Sequence, residues 1–479
     1  MTGKYSPVLR GDEVLKAVSG RLVRGNIGTV FRGISTDSRT AAKDHLFIAL
    51  IGDRFNGHDF IRDAVSSGVT GVLVRQGEER RLESLHEDVC VISVGDTLQA
   101  LGDIAHFWRC RHSIPVAAVT GSSGKTTTKE MTAGILAQVM TVLKSEGNFN
   151  NLIGLPLTLL GMSDDHDAVI LEMGTNRRGE IARLTDISSP DIGLITNIGR
   201  AHLEGLHSVE TIREEKGDLF QHMGRSGIAV INIDDENLRM LAALGKRRPV
   251  TFGIEREALV RAENIKEQGE KGVRFTLKAA KEAREISIPV PGRHNVYNAL
   301  AAASIAWCMG MEIDLISSGL RDFKPVPGRM EVVRLRNGAF MIRDTYNANP
   351  DSVRAALAAL AGLKGSGFSA VVLGDMLELG GHSERMHEEV GYYAAETGVD
   401  ALFLRGNFSE AVASGARAGG LNGGKIFRIE EPHEIASVLE SIMKAGDWVL
   451  IKGSRRMKME EVSAALENVI GITESESAK

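Results

Sequence analysis

The chain has 479 residues, too many for a single core and enough for about three domains of ordinary size. A formal net charge of -5 and an aromatic share of only 5% exclude a broad basic or stacking surface, so no nucleic-acid partner is expected. Cys90, Cys110 and Cys308 are too scattered for a disulfide framework or a thiolate metal site and are expected as reduced, structural thiols.

Met1–Arg10 lacks the apolar core of a secretory signal, and no apolar run approaches the roughly 20 residues of a membrane span. A cytoplasmic protein without a membrane span is therefore expected. From Leu9 to about Arg111, short apolar runs (Leu46–Leu50, Gly71–Val74) alternate with helix-like stretches, which predicts a small α/β domain. From Ile114 a second regime begins, with apolar runs at Val116–Val119, Ala168–Leu171, Ile192–Thr196 and Ile228–Ile231. They are continuous rather than alternating, the pattern of strands buried on both faces of a parallel sheet. The charged stretch Arg261–Glu285 reads as an exposed hairpin, and Val296–Met309 as a buried, Ala-rich helix. Lys324-Pro-Val-Pro-Gly328 reads as a hinge. Beyond it, Ala370–Leu373, Ala401–Leu404 and Trp448–Ile451 predict a further doubly wound α/β unit, and the polar tail Thr473–Lys479 is expected to fray. The expected division is 1–111, 112–325 and 326–479.

The strongest local signal is Thr120-Gly-Ser-Ser-Gly-Lys-Thr-Thr-Thr128, in which a buried strand runs into a glycine-rich turn and then a helix starting near Lys125. Gly121 and Gly124 let the backbone curl so that N–H groups face one point, to which the helix N-terminus adds partial positive charge. Lys125 then reaches the terminal phosphates and Thr126 offers its hydroxyl to magnesium. The strict phosphate-loop pattern has glycine where this chain has Val119.

In such sheets functional side chains gather at the carboxyl ends of strands. Ala168–Leu171 runs straight into Glu172, a carboxylate closing an apolar strand, which with Thr126 and ATP phosphates supplies the oxygen ligands magnesium prefers. Ile192–Thr196 runs into Asn197, followed by His202 and Glu204. Taken alone, a single histidine is more often a structural hydrogen-bonding residue than a ligand, Glu204 is equally well a solvated carboxylate, and Lys216 reads as a surface lysine on an acidic helix.

These segments, with Asn148-Phe-Asn-Asn-Leu-Ile-Gly, Glu172-Met-Gly-Thr-Asn, Thr196-Asn-Ile-Gly-Arg-Ala-His-Leu-Glu-Gly, Gly292-Arg-His-Asn-Val-Tyr-Asn, Pro327-Gly-Arg-Met-Glu, Asp344-Thr-Tyr-Asn-Ala-Asn-Pro-Asp-Ser, Gly374-Asp-Met-Leu-Glu and Lys452-Gly-Ser-Arg-Arg-Met, resemble the Mur ligase family over nearly the full chain. The resemblance implies three α/β domains: an N-terminal domain for a UDP-substrate, a central P-loop ATPase with a mainly parallel sheet, and a Rossmann-like C-terminal domain that closes over the site. It implies an ATP-dependent amide ligase working through an acyl phosphate. Asp344–Ser352 matches the type that adds D-alanyl-D-alanine to UDP-N-acetylmuramoyl-tripeptide, and the Asp-Asn-Pro-Arg run of a diaminopimelate-adding relative is missing. Arg177 stands where that type commonly has histidine.

Carried over by position, the resemblance gives Gly121, Ser122, Ser123, Gly124, Lys125, Thr126 and Thr127 to ATP phosphates, Asn295 and Asn298 to adenine, Arg329 to the γ-phosphate and Asp344 to ribose. It gives Thr126, Glu172, His202 and Lys216 to two magnesium ions, Lys216 as a carbamate. Lys125, His202, Lys216 and Arg329 are the implied catalytic set, and Asn150, Asn151, Asn347, Asn349 and Lys452 the implied substrate contacts. In the N-terminal domain, Ser38 and Arg39 of Thr36-Asp-Ser-Arg, with Asn56 and His58, resemble segments that hold uridine diphosphate. A guanidinium suits a diphosphate; read alone, the same segment fits a turn with a solvated arginine equally well. The expected partners are ATP, the UDP-tripeptide and the dipeptide, and the expected state is a monomer that closes on its ligands. The competing expectations are another amino-acid ligase of the family and an ATP-binding switch without chemistry.

Overall fold

The computed structural model describes residues 6–82, 86–244 and 249–473, so most of the expected polar tail lies outside the described residues. The architecture is α/β throughout; among the described residues it comprises three large sheets and one two-stranded antiparallel pair, Leu9–Arg10 with Val30–Phe31. The first has five strands: β1 (Arg21–Arg24), β2 (Ile34–Ser35), β3 (Leu46–Ile48), β4 (Gly71–Arg75) and β5 (Cys90–Val94), in the order β1-β5-β4-β3-β2. All neighbours are parallel except β1 with β5. Helix α1 (Thr97–Arg109), capped by Asp96, ties this unit to the next: Arg109 reaches Ser188 O and Asp191, and Asp103 pairs with Arg183 at 2.5 Å.

The second sheet has nine strands. In chain order these are β6 (Val116–Thr120), β7 (Val142–Lys144), β8 (Ala168–Glu172), β9 (Ile192–Ile195), β10 (Ile228–Asn232), β11 (Val250–Gly253), β12 (Val260–Glu267), β13 (Val273–Ala279) and β14 (Glu282–Ile288). The sheet order is β14-β13-β12-β11-β10-β9-β6-β8-β7, parallel from β7 to β12. The helices that matter here are α2 (Lys125–Leu136), α3 (Glu180–Ser188), α4 (Val209–His222) and α5 (Arg293–Cys308). Strands β6, β8 and β9 are buried along their whole length, as their unbroken apolar runs require.

The Arg261–Glu285 stretch corrects one expectation. It forms β12 to β14, a three-stranded antiparallel extension of the sheet rather than a free hairpin. Alternate residues Val273, Phe275, Leu277 and Ala279 are buried in the core around α5, while the charges between them face outward. The outer residues Glu282–Arg284 of β14 are exposed.

The third sheet comprises β15 (Glu331–Arg334), β16 (Phe340–Asp344), β17 (Ser369–Gly374), β18 (Ala401–Arg405), β19 (Ile426–Arg428) and β20 (Trp448–Lys452), in the order β15-β16-β20-β17-β18-β19. It is parallel apart from the β15–β16 pair, with α6 (Pro350–Leu363) and α7 (Ser383–Glu396) on its flank. Among the described residues no helix is long and apolar enough to cross a membrane. Cys90, Cys110 and Cys308 are free; Cys90 is buried, Cys308 packs partly buried against the core around α5, and Cys110 is exposed.

Candidate active site between the second and third sheets

A cavity of about 720 Å³ opens where the carboxyl ends of β6, β8 and β9 face those of β16 and β20. The Thr120–Thr128 segment forms its floor. Gly124, at φ 79°, caps α2, and a Cβ there would stand 2.2 Å from Asn298 Oδ1. At Gly121, with φ 145°, an added Cβ would stand only 1.9 Å from Thr196 Oγ1. Both positions therefore require glycine. The loop is braced from β9: Ser122 N donates to Asn197 O and Ser123 N to Asn197 Oδ1. Those two N–H groups are thus engaged within the protein, whereas those of Gly124 and of the first turn of α2, at Lys125–Thr127, remain for a phosphate. Ser122 also exchanges hydrogen bonds with Gly199, so both serines stiffen the loop. Lys125 Nζ donates to Gly121 O at 2.7 Å. Burial pushes its ammonium below the ordinary value, Glu172 opposes this, and Arg329 adds to it.

Glu172, 3% exposed at the end of β8, accepts from Thr126 Oγ1 at 2.7 Å and from Asn150 Nδ2 at 3.0 Å. Two hard oxygens side by side on the wall of a phosphate-type cavity fit magnesium. Among the described residues no three His, Cys, Asp or Glu side chains converge, so phosphate oxygens would have to complete such a site. His202 stands in the left-handed region at φ 57° and its Nδ1 contacts Glu378 Oε2 at 2.7 Å. That contact leaves Nε2 as the free ring nitrogen, the arrangement by which a carboxylate orients a metal-binding imidazole. Glu204 and Arg177 are exposed.

Lys216 is not the surface lysine its acidic neighbours suggest. It is 1% exposed on the inner face of α4, where burial and the nearby Lys125 ammonium push it down to about 7. Next to it stands Glu215, which sequence reasoning missed. This buried carboxylate accepts from Thr175 Oγ1, Gly179 N and Ile181 N at 3.0, 2.6 and 2.8 Å, pinning the segment after Glu172 to α4. Its only sequence signal is a second glutamate beside a lysine.

Across the cavity, Arg329 lies over the Tyr346 ring at 4.1 Å, and its buried Nε has no acceptor among the described residues. Asp344 receives Lys452 Nζ at 2.5 Å, and Lys452 also donates to Asn347 O. Beside this pair, burial holds His294 down to about 4, although Asp344 opposes the shift. Asn349 caps α6 and reaches Ser122 O at 3.4 Å. Arg200 donates from its backbone N, Nε and Nη2 to Asp351, and from Nη1 to Glu389 at 2.7 Å. The loop after β9 is thereby fastened to α6 and α7.

Asn151 Oδ1 accepts Ile153 N and Gly154 N. Asn295 and Asn298 are buried; Asn298 Nδ2 donates to Asn295 Oδ1 at 2.9 Å and Asn295 Nδ2 to Pro291 O, so the pair buttresses the phosphate loop from α5. The four N-terminal candidates do not line this cavity. They lie in the segments that follow the parallel neighbours β2 and β3: Arg39 is exposed and pairs with Asp37, and Ser38 is half-buried. His58 is buried, with Nδ1 on Asn56 Oδ1 and Nε2 accepting Arg75 N, so its ring holds the turn in shape.

A phosphate loop on a parallel sheet, faced by a second α/β unit carrying an arginine and a carboxylate, defines a P-loop enzyme that acts on a nucleotide. Three domain descriptions match the chain: Mur ligase family, catalytic domain at 30–109; Mur ligase middle domain at 119–306; and Mur ligase, glutamate ligase domain at 328–455. The chain is 36% identical over 436 residues to the UDP-N-acetylmuramoyl-tripeptide--D-alanyl-D-alanine ligase of Escherichia coli, covering 91% of this chain and 93% of that one. A crystal structure of MurF from Acinetobacter baumannii superposes with a TM-score of 0.88 at 30% identity, over 97% of this chain and 99% of that one. MurF from Thermotoga maritima in complex with ADP gives 0.82 at 29% identity, over 91% and 97%. The chain belongs to the Mur ligase family and is an ATP-dependent ligase.

Proposed function

We propose that this chain joins D-alanyl-D-alanine to UDP-N-acetylmuramoyl-tripeptide in peptidoglycan precursor synthesis, acting in the cytoplasm as a monomer. The observation that carries this reading is the meeting, in one cavity, of Lys125, Glu172 and His202 from the second sheet with Arg329, Asp344 and Lys452 from the third. The named relatives, aligned over nine-tenths of the chain, support the choice of substrates.

A carboxylate acylates poorly because its leaving group is oxide. Transfer of the γ-phosphoryl group to the tripeptide's terminal carboxylate makes an acyl phosphate; the dipeptide amine then attacks, phosphate leaves, and an amide and ADP result. Such transfer needs positioning and charge neutralisation above all. Lys125 and the first turn of α2 hold the phosphates, and Arg329 offers its unpartnered Nε to the γ-phosphate. Thr126, Glu172 and His202 would hold magnesium, which when bound neutralises phosphate charge. A buried lysine held down to about 7 has the neutral amine needed to capture carbon dioxide, which supports a carbamate on Lys216. Asn150, Asn151, Asn347, Asn349 and Lys452 are assigned to the acceptor peptide and dipeptide, Asp344 to the ribose, and Ser38, Arg39 and the turn held by Asn56 and His58 to the uridine diphosphate. The contacts of Arg200, His202 and Asn349 with the opposite domain support closure over bound substrates.

The test is phosphate release with ATP, magnesium and UDP-N-acetylmuramoyl-tripeptide, with and without the dipeptide. Release that requires the dipeptide, with a product heavier by the dipeptide less water, is expected. Release with a single amino acid and a shorter UDP-peptide would assign a sister ligase, and silence with every acceptor would leave a nucleotide-binding switch.

A further inference from the structure

Lys129 has no part in the chemistry above, yet the residue is fully enclosed, at 0% exposure. It lies one turn after Thr126 in α2. Its Nζ donates to Ser145 O at 2.5 Å and pairs with Glu130 at 2.9 Å. Ser145 is the first residue beyond β7, the outermost strand of the sheet, which has a neighbour on one side only. The segment it begins carries Asn148, Asn150 and Asn151 into the cavity.

Ser145 is itself a junction. Its N–H donates to Ile170 O at 3.1 Å, and its Oγ accepts Glu172 N at 3.2 Å. Glu172 in turn receives Thr126 and Asn150. Helix α2 therefore grips Glu172 twice: directly through Thr126, and through Lys129 and Ser145. Sealing a cation in a core carries a desolvation cost that an apolar residue of similar size would avoid, so stability alone does not account for a lysine here. A donor that crosses from helix to sheet edge and fixes one carbonyl does account for it.

We propose that Lys129 is a positioning residue: by holding Ser145 it sets the backbone of Glu172 and the Asn148–Asn151 segment so that the Glu172 carboxylate faces the nucleotide's divalent cation. This rests on the magnesium role proposed for Glu172. The test uses the full chain as wild type, Lys129→Met, Ser145→Ala, the double variant and Glu172→Gln. Binding of a fluorescent ATP analogue is measured in EDTA and then across a magnesium titration. For Lys129→Met and Ser145→Ala, metal-free binding is expected within about twofold of wild type and the half-saturating magnesium concentration about tenfold higher. The double variant should be no worse than Lys129→Met. A folded Lys129→Met with a wild-type magnesium curve would overturn the proposal, provided Glu172→Gln shifts it. If Glu172→Gln leaves the curve unmoved, the magnesium reading fails instead. Should Lys129→Met not fold, Lys129→Gln takes its place, its neutral side chain one atom too short for the backbone carbonyl that Ser145→Ala would leave intact: a shifted curve supports the proposal and an unshifted one overturns it.

Discussion

Removing the Arg200 side chain tests how the two faces of the cavity are held together. Arg200→Ala keeps the backbone bond to Asp351 and loses three side-chain bonds, Nε and Nη2 to Asp351 at 3.2 and 3.0 Å and Nη1 to Glu389 at 2.7 Å. The arginine is 25% exposed and its carboxylate partners 40% and 38%, so neither pair has the strength of a buried one. Exposed pairs contribute up to about 1 kcal/mol each, and charged hydrogen bonds shielded from water about 1.5–3. Two pairs at intermediate exposure therefore amount to about 1–2 kcal/mol, close to a tenfold shift toward separated domains. Energy transfer between dyes on the second and third domains, with an ATP analogue and the UDP-substrate present, reads that shift directly. The KM of the last substrate should rise by a similar factor, and wild type should approach the variant as salt screens the pairs. An unchanged domain equilibrium and an unchanged KM at low salt would refute the reasoning.

Lys125→Ala should lower turnover by about three orders of magnitude, since it removes a charge aimed at the transferred group, while calorimetry shows UDP-substrate binding largely intact. Gly124→Ala forces a side chain into the left-handed region and against Asn298, so nucleotide affinity should fall at least about tenfold in an equilibrium titration. His294 has its folded-state value depressed from 6.5 to about 4, so the unfolded chain binds the proton more readily between those limits. The native state should keep its full stability above about pH 6.5 and lose it as pH falls toward 4, by at most about 3 kcal/mol. His294→Gln should flatten that acid limb in denaturant titrations; an unchanged slope would count against the burial argument.

Legibility in the sequence followed the reach of each interaction. Strand positions such as Ala168–Leu171 and Trp448–Ile451 were readable because burial on both faces leaves an unbroken apolar run, and each strand extends one charged residue further. The phosphate loop was readable because its glycines, lysine and threonine are contiguous and act through their own backbone. Glu172 announced itself as a charge ending an apolar strand. The outward charges of β12 to β14 masked the buried alternate residues, which is why the segment read as a free hairpin. Lys216 looked solvent-exposed because its sequence neighbours are charged, but Glu215 turns inward with it to receive donors from the Thr175–Ile181 segment. Arg200 with Asp351, and Lys129 with Ser145, join residues far apart in the chain, and nothing local in either partner names the other.

The outward charges of β14 also bear on crowding. A sheet's last strand offers unpaired backbone groups to any extended chain that drifts alongside, and that is how many β-rich proteins begin to clump. Here a newcomer would meet Glu282 and Arg284 along the margin, with Arg284 already bound to Asp314. It would have to strip water from both signs of charge before gaining a ladder. The opposite margin, Val142–Lys144, is only three residues long. A nine-stranded sheet thus ends on both sides in strands that discourage recruitment, which favours a protein that stays dispersed at high concentration.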